Sequence, residues 1–273
     1  QSVQVFGQEV NGLTSSIARM NLYLNGVEDF SIACADTLEN PAFLDGSHLR
    51  KFDIVLANPP YSIKEWNREK FMNDKWGRNF LGTPSQGRAD YAFIQHILAS
   101  MNDENGRCAI LLPHGILFRN EEKEVRTNLV KSDLLEAVIG LGPNLFYNAP
   151  MEACILFCNK NKDRERKNRI TFINAVKEVT RKNAESYLEQ HHIEKILHAF
   201  HSQEDIEQFK LSISTDDIAN KDFDLSIQKY VFIKDAEVEE ISFSSAISRW
   251  LNSQKEVHVQ YITLMDLLSN DKI

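Results

Sequence analysis

The segment VLANPPYS, residues 55–62, ends an apolar run with two consecutive prolines and a tyrosine. Proline fixes φ and has no backbone N–H, so neither Pro59 nor Pro60 can extend a hydrogen-bonded strand. The apolar run before them is continuous, which predicts a strand buried on both faces of a parallel sheet. The sequence therefore predicts an interior strand that stops abruptly at a rigid turn.

This turn offers hydrogen-bond acceptors rather than donors. Asn58 contributes a side-chain oxygen, Pro59 contributes its carbonyl oxygen, and the aromatic ring of Tyr61 follows. Two acceptors can bind both hydrogens of a planar amino group, and an aromatic ring can stack on a base flipped out of a duplex. The pattern predicts a site that holds an amino group for alkylation. The structural alternative is a stiff turn that only ends a strand.

Strands alternate with helices along the first two thirds of the chain, which predicts an α/β fold with a doubly wound, mostly parallel sheet. The predicted helices of this part are NGLTSSIARMNLYLNG, RADYAFIQHILASM and EEKEVRTNLVKS. The predicted strands are VQVFGQE, FSIACAD, KFDIVLANPP, the first part of GRCAILLPHGILF, LLEAVIGL, EACILFCNK and RITFINA. We interpret the last two strands as a C-terminal antiparallel hairpin. The segment Tyr61–Gly87 is predicted to be a long functional loop.

The pattern changes after residue 176. We therefore predict an α/β core at 1–176 and a mostly helical extension at 177–273, with helices at Ala184–Phe200, Glu237–Leu251 and Gln260–Leu268. A helical cap on the sheet and a docking arm for another subunit both fit this extension, and we favour the arm.

Two acids stand at the ends of the first two predicted strands, Glu9 and Asp36. In an open α/β sheet, ligands bind outside the carboxyl ends of the strands. An acid there can accept hydrogen bonds from the ribose hydroxyls of a nucleoside cofactor, and a second acid can accept a hydrogen bond from the amino group of its base. Taken alone, each acid also fits an ordinary loop carboxylate or a helix N-cap.

Composition narrows the class of protein. The net charge is −8 and the sequence pI is about 5.5, so the chain is a poor stand-alone DNA binder and needs a partner or a local basic patch to hold nucleic acid. The longest apolar runs are too short to span a bilayer, and Gln1–Val10 does not resemble a signal peptide. Four cysteines in apolar surroundings indicate reduced thiols in a cytoplasmic protein. The histidines of residues 191–201 lack the carboxylate or cysteine pattern of a metal site.

The Asn-Pro-Pro-Tyr turn after an apolar strand resembles the signature of amino-group methyltransferases that use S-adenosylmethionine. The surrounding sequence is similar to the modification subunit of type I restriction-modification systems, which are adenine-N6 DNA methyltransferases. The stretches that carry this resemblance are GQEVNGLTSSIARMNLYLNG, DTLENP, FDIVLANPPYS, GRADYAFIQHIL, GRCAILLPHGILFR, DLLEAVIGLGPNLFYNAPMEACILFCNK and DFDLSIQKYV.

The resemblance implies roles for particular residues. Glu9 matches the ribose-binding acid, Asp36 matches the acid beside the cofactor's adenine, and Phe93 lies in the helix that borders the cofactor pocket, as does Tyr91. The resemblance places the catalytic turn at Asn58, Pro59, Pro60 and Tyr61, with Asn58 also facing the cofactor. Tyr61 and Phe146 match the aromatic residues that contact the flipped base; for Tyr91, Phe93 and Phe146, simple packing is an equal alternative. The implied partners are DNA, a specificity subunit and a restriction subunit, with no metal and no membrane.

The chain also departs from that family. The glycine-rich cofactor loop, of the Asp-Pro-x-Cys-Gly-Ser-Gly kind, would lie just upstream of Gln1, and so would an N-terminal helical domain. YNAPMEACI stands where a Gly-Thr-Gly-like loop is usual. We therefore expect a carboxyl-terminal part of a methyltransferase subunit that is inactive alone. Two alternatives remain open at this point: a protein-glutamine methyltransferase, and a catalytically dead scaffold that binds DNA and subunits.

Overall fold

The computed structural model describes residues 3–146, 151–182 and 185–232, together with three single positions, 247, 250 and 254. The α-helices of these residues are α1 (Gly12–Leu24), α2 (Arg68–Met72), α3 (Asp90–Ser100), α4 (Lys123–Lys131), α5 (Gln190–His201) and α6 (Thr215–Asn220). The strands are β1 (Val5–Glu9), β2 (Phe30–Cys34), β3 (Leu44–Asp45), β4 (His48–Leu49), β5 (Ile54–Ala57), β6 (Arg107–Pro113), β7 (Leu135–Leu141), β8 (Ala153–Asn159), β9 (Arg169–Ala175), β10 (Thr180–Lys182), β11 (Glu185–Tyr187) and β12 (Lys210–Ser214).

The central sheet has six strands in the order β12-β9-β7-β8-β6-β5. β5 is parallel to β6 and β7 is parallel to β9, while β8 is antiparallel to both of its neighbours and β12 is antiparallel to β9. It follows that β5, β6, β7 and β9 point the same way and that β8 and β12 point the other way. The predicted α/β fold with a mostly parallel sheet is confirmed.

The predicted hairpin of β8 with β9 is wrong. β7 lies between these strands and pairs with both, antiparallel to β8 and parallel to β9. Every residue of β7 is buried, as an interior strand with helices over both faces requires. The short connection between β8 and β9 suggested direct pairing, but it crosses over β7.

The predicted division at residue 176 does not mark the end of the sheet. β12 lies well beyond it and pairs with β9 from Lys210 to Ser214. A small antiparallel pair, β10 with β11, also falls in the region predicted as helical. The helix predicted at Ala184–Phe200 is present only from Gln190 onward, as α5, because Glu185–Tyr187 form β11. The helices predicted at 237–251 and 260–268 lie outside the described residues apart from positions 247 and 250.

Helices cover both faces of the central sheet. On one face, α3 and α4 pack on alternate residues of β6, β7, β8 and β9 and form the largest apolar cluster. On the other face, Ile196 and Ala199 of α5 pack on Ile139 of β7 and Ile173 of β9. This alternation is the period of two expected where side chains of a strand point to opposite faces. The helices thus fix the sheet whose β5 end carries the predicted turn.

β5 is an edge strand rather than the fully buried strand predicted from its apolar sequence. Among the strands of the described residues it pairs only with β6, and Ile54 and Leu56 expose 61% and 76% of their surface. β1 and β2 form a separate parallel pair, and α1 follows β1 with its N-terminus capped by Asn11. β5 and β1 therefore each have one edge without a hydrogen-bonded neighbour among the described residues.

The contrast between β5 and the interior strands predicts different responses to side-chain truncation. Leu156 of β8 is 0% exposed and Leu56 of β5 is 76% exposed. We expect Leu156→Ala to lower the free energy of unfolding by about 3 kcal/mol because it leaves a cavity, and Leu56→Ala to lower it by less than about 0.5 kcal/mol. Urea unfolding of both variants measures this, and equal losses would contradict the edge position of β5.

Candidate functional site

The predicted acceptor turn lies beside a cavity. Asn58 is exposed at the carboxyl end of β5. Within the described part of the chain its side-chain amide makes no hydrogen bond, and the Pro59 carbonyl accepts none. A cavity of about 310 Å³ opens next to this turn. Its lining residues are Leu56, Ala57, Asn58, Ala109, Leu111 and Ile155. The polar group of Asn58 is therefore free to bind a ligand at the mouth of an otherwise apolar cavity.

Two aromatic residues stand near this turn. Tyr61 is half-buried, and its pKa is raised by burial first and then by the nearby Cys154 and Asp90. Phe146 packs against the same buried cluster as Leu111 and Ile155, two residues that line the cavity beside Asn58. Tyr61 stacks on no other ring among the described residues. The arrangement is compatible with the predicted contacts to a planar base, which stay a prediction.

A second cavity, of about 520 Å³, contains Asp36. Asp36 follows β2, is exposed, and uses Oδ1 to accept hydrogen bonds from the N–H groups of Leu38 and Glu39 at 2.8 and 2.9 Å. The other side of the cavity is formed by residues of the long loop after the Asn58 turn. These residues are Lys64, Glu65, Trp66, Asn67 and Gln86. Asp36 is thus the loop carboxylate that the sequence allowed, stabilising a turn rather than capping a helix, and its Oδ2 atom makes no hydrogen bond among the described residues.

Glu9 ends β1 in the equivalent place. Its Oε1 accepts the Asn11 N–H at 2.7 Å, and the Asn11 side chain in turn caps α1. Because β1 and β2 are parallel neighbours in register from Val5 with Phe30 to Glu9 with Cys34, Glu9 and Asp36 follow the same edge of this pair. Their use for ribose and adenine binding stays a prediction.

The two aromatic residues of α3, Tyr91 and Phe93, lie in different surroundings. Tyr91 is fully buried in the main cluster and donates its hydroxyl to the Ile116 carbonyl at 3.2 Å, and burial raises its pKa. It is a core residue and lines neither cavity. Phe93 is half-buried and packs beside Leu38 and Trp66, next to the Asp36 cavity. Of the two, only Phe93 lies where a cofactor pocket is predicted.

The long loop is tied to the segment that carries Asp36. Arg78 is fully buried, pairs with Asp74 at 2.6 Å, and donates to the carbonyls of Thr37 and Leu38 at 3.0 and 2.8 Å. Burial, followed by the Arg78 charge, lowers the pKa of the adjacent His96 to about 3, so this ring is neutral and can accept from Arg78. The loop is therefore an ordered wall of the Asp36 cavity.

Trp66 holds the same loop together. Its indole N–H donates to the Gln86 carbonyl at 3.0 Å, its ring packs on Phe71, and the Gln86 side chain donates back to the carbonyls of Lys64 and Trp66. These contacts fix the conformation of the loop around Trp66. The composition of the loop gave no sign of this pairing between Trp66 and Gln86.

Sequence reasoning missed a buried charged cluster behind the turn. Asp90, the first residue of α3, accepts the Ser62 N–H at 2.7 Å and pairs with Arg119 at 3.1 Å. Arg119 also lies 3.6 Å from Glu122, whose two carboxylate oxygens are buried and accept no hydrogen bond. An acid at the start of a predicted helix, as in RADYAF, was the available signal, but helix starts commonly carry acids for capping alone.

Part of the predicted base-binding loop cannot be compared. YNAPMEACI begins with residues 147–150, which lie outside the described residues, and only its second half is placed, at the start of β8. Within the described residues, no group of three or more histidine, cysteine or acidic side chains could hold a metal ion. None of the helices described is long and apolar enough to cross a membrane.

Comparison with known proteins assigns the family. A family model for N-6 DNA methylase matches residues 1–239, so the chain belongs to the N-6 DNA methylase family. It is 32% identical to the type I restriction enzyme MjaVII methylase subunit of Methanocaldococcus jannaschii, over 93% of this chain and 45% of that protein. It is also 32% identical to the HindI methylase subunit of Haemophilus influenzae, over 93% of this chain and 58% of that protein.

A solved structure agrees with these relatives. The type I restriction-modification methyltransferase subunit from Streptococcus thermophilus superposes with a TM-score of 0.78 at 37% identity, covering 85% of this chain and 49% of that one. The resemblance to type I modification subunits is thereby confirmed. The chain spans about half the length of the curated relatives it matches.

The buried Glu122 predicts a pH dependence of stability. Burial is the main reason that its pKa rises from 4.5 to about 7; Asp90 raises it further, while Arg119, Arg88 and Arg126 oppose the rise. The folded chain thus binds this proton more tightly than the unfolded chain. The resulting stabilisation is complete below about pH 4.5 and is lost as the pH rises through about 7.

We therefore expect the free energy of unfolding to fall by about 2 kcal/mol more in the unaltered chain than in Glu122→Gln between pH 5 and pH 8. Glutamine keeps the shape of the side chain but cannot ionise. Urea unfolding of both proteins at the two pH values measures the difference, and parallel losses would show that Glu122 does not titrate in this range.

Proposed function

We propose that this chain forms part of the modification subunit of a type I restriction-modification system and methylates N6 of adenine in DNA with S-adenosylmethionine as the cofactor. The observation that carries the proposal is the turn at Asn58–Tyr61. The Asn58 side chain lines a cavity at the carboxyl end of a strand, and neither its amide nor the adjoining Pro59 carbonyl has a hydrogen-bond partner in the described chain. Family membership and the relatives' names support the same activity.

In this mechanism the Asn58 side-chain oxygen and the Pro59 carbonyl accept the two hydrogens of the adenine amino group. That pairing draws the nitrogen lone pair out of conjugation with the ring and directs it toward the methyl group. Tyr61 stacks on the extruded base, and Phe146 contacts it from the other side of the cavity. The two prolines keep the acceptors in place, so little reorganisation is needed when charge develops on the nitrogen. When bound, the cofactor supplies an electrophilic methyl group on a sulfonium.

The residues present fit one half of that cofactor. Asp36 has a free carboxylate oxygen in a cavity of about 520 Å³, with Trp66 on the opposite wall and Phe93 packed beside it. Such a cavity suits an adenine ring, and Asp36 would accept a hydrogen bond from its amino group. Glu9, at the same edge, would accept hydrogen bonds from the ribose hydroxyls.

The described residues do not supply a site for the other half, the methionine portion of the cofactor. Gly140 and Gly142 are the two glycines closest to each other in the sequence. A Cβ at Gly140 would lie 2.7 Å from the Ile227 side chain, and a Cβ at Gly142 would lie 2.7 Å from the Val176 carbonyl, so both glycines serve packing. No other described glycines could form a loop around the methionine portion of the cofactor. The open edges of β1 and β5 also leave room for a further strand. We therefore propose that this chain is catalytically incomplete by itself.

The proposed partners follow from charge and from the relatives. A net charge of −8 gives this chain little affinity of its own for phosphates, so a specificity subunit would hold and read the DNA. A restriction subunit would join the same assembly in the cytoplasm, where the DNA lies. The helical extension at 177–273 remains our candidate for docking, through the part beyond the sheet.

The first test concerns incompleteness. We expect isothermal titration of this chain with S-adenosylmethionine to show no binding at micromolar concentrations, because the methionine portion finds no backbone donors. The complete subunit that contains this chain is the positive control and should bind. Micromolar binding by the chain alone would refute the proposed incompleteness.

The second test concerns the turn, in the assembled enzyme, which is the complete modification subunit together with a specificity subunit. Asn58→Ala removes one of the two acceptors, and we expect at least a roughly 100-fold loss of kcat for labelled methyl transfer to DNA. Asn161→Ala is the matched control, since Asn161 is exposed beyond β8 at the opposite end of the sheet. Full activity of Asn58→Ala would discard this turn as the active site.

A further inference from the structure

Ser62, the residue directly after Tyr61, has a left-handed backbone conformation with φ of 53°. A residue with a side chain adopts this conformation only at an energetic cost, so neighbouring groups must hold it there. The strain begins where the rigidity of the two prolines ends. It therefore sets the direction in which the chain leaves the turn.

The buried carboxylate of Asp90 is the group that holds Ser62. Its Oδ1 accepts the Ser62 N–H at 2.7 Å, across 28 residues of sequence. One residue earlier, the Ala89 N–H donates to the Ile63 carbonyl at 3.1 Å. These two hydrogen bonds attach consecutive residues of the loop to the first turn of α3.

Two arginines complete this arrangement. Arg119 pairs with Asp90 Oδ2 at 3.1 Å, and Arg88 donates to the Ser62 hydroxyl at 2.8 Å. Arg119 lies so close over Gly115 that a Cβ there would be 2.6 Å from its Nη2 atom. The cationic partner of Asp90 is thus itself fixed by the backbone that follows β6.

We propose that Asp90 is a positioning residue for the Asn58–Tyr61 turn, acting through the backbone of Ser62. The inference rests on the proposed function, because it assigns Asp90 a part in the same reaction. Pro59 and Pro60 restrict the turn from within, and Asp90 restricts the first residue after it. The Pro59 carbonyl and the Tyr61 ring are thereby held in one orientation before substrate arrives, and displacement by about 1 Å is enough to reduce the rate strongly.

Kinetics of the assembled enzyme test this role. We expect Asp90→Asn to lower kcat roughly 10- to 100-fold while the KM values for DNA and cofactor change less than about twofold. Adding Ser62→Gly should restore part of kcat, because glycine adopts a positive φ without help from Asp90. A merely structural role for Asp90 predicts no such recovery.

Two further variants keep the test decisive. Ser62→Val retains the N–H donor and the Asp90–Arg119 pair, loses the hydroxyl that Arg88 contacts, and opposes the left-handed conformation, so it should also lower kcat if Asp90→Asn does not fold. Glu136→Gln is the matched control, since Glu136 forms a buried pair with Arg166 at 2.7 Å at the amino end of β7. It should lower thermal stability without changing kcat.

A readout on this chain alone does not require activity. Amide hydrogen exchange at Ser62 should accelerate at least about tenfold in Asp90→Asn, because its N–H loses a buried acceptor. Unchanged exchange, or kcat within about twofold of the unaltered enzyme in Asp90→Asn or Ser62→Val, would overturn the inference. Activity that survives Asn58→Ala would instead overturn the proposed function, so the two failures can be distinguished.

Discussion

The ladder between β5 and β6 is the constraint on which the site depends. Four register pairs, from Ile54 with Arg107 to Ala57 with Ile110, are the only strand pairing that β5 has within the described residues. Everything that follows β5 inherits its position from this short ladder. A four-residue edge strand would orient a flexible turn poorly. The prolines remove that freedom on one side and the contacts to α3 remove it on the other, so the turn lies between two fixed points.

The two cavities are connected by the loop that leaves this turn. Its residues from Ser62 to Arg88 touch the charged cluster at α3 and then fold back over the segment that carries Asp36. Arg78 is the main reason that the loop has one conformation, since a fully buried guanidinium must find acceptors, and it finds them in Asp74, Thr37 and Leu38. The proposed substrate position and the proposed cofactor position are thus joined by one continuous stretch of chain.

Local patterns predicted most elements, because apolar periodicity and turn residues reflect local physics. The strand before Asn58, helix α3 and the strands β6 to β9 lie where their sequences indicate. Strand order did not follow from sequence, since an apolar strand such as β8 suits any interior place and only packing against β7 selects one. The exposure of Leu56 was missed for the same reason: apolar content states what a strand can bury, not what is available to cover it. Asp90 and Ser62 meet across 28 residues, a contact to which no local pattern refers.

The charged cluster shows how one cation, Arg119, helps to fix the turn. Arg119 is 3.1 Å from Asp90 and 3.6 Å from Glu122, so two acids compete for it. Because Glu122 has no hydrogen-bond donor and its pKa is raised to about 7, it carries its proton over much of the acidic to neutral range. A neutral Glu122 leaves the guanidinium to Asp90, which also binds the Ser62 N–H. The lack of donors at Glu122, which costs stability above neutral pH, thereby strengthens the contact that fixes the chain after Tyr61.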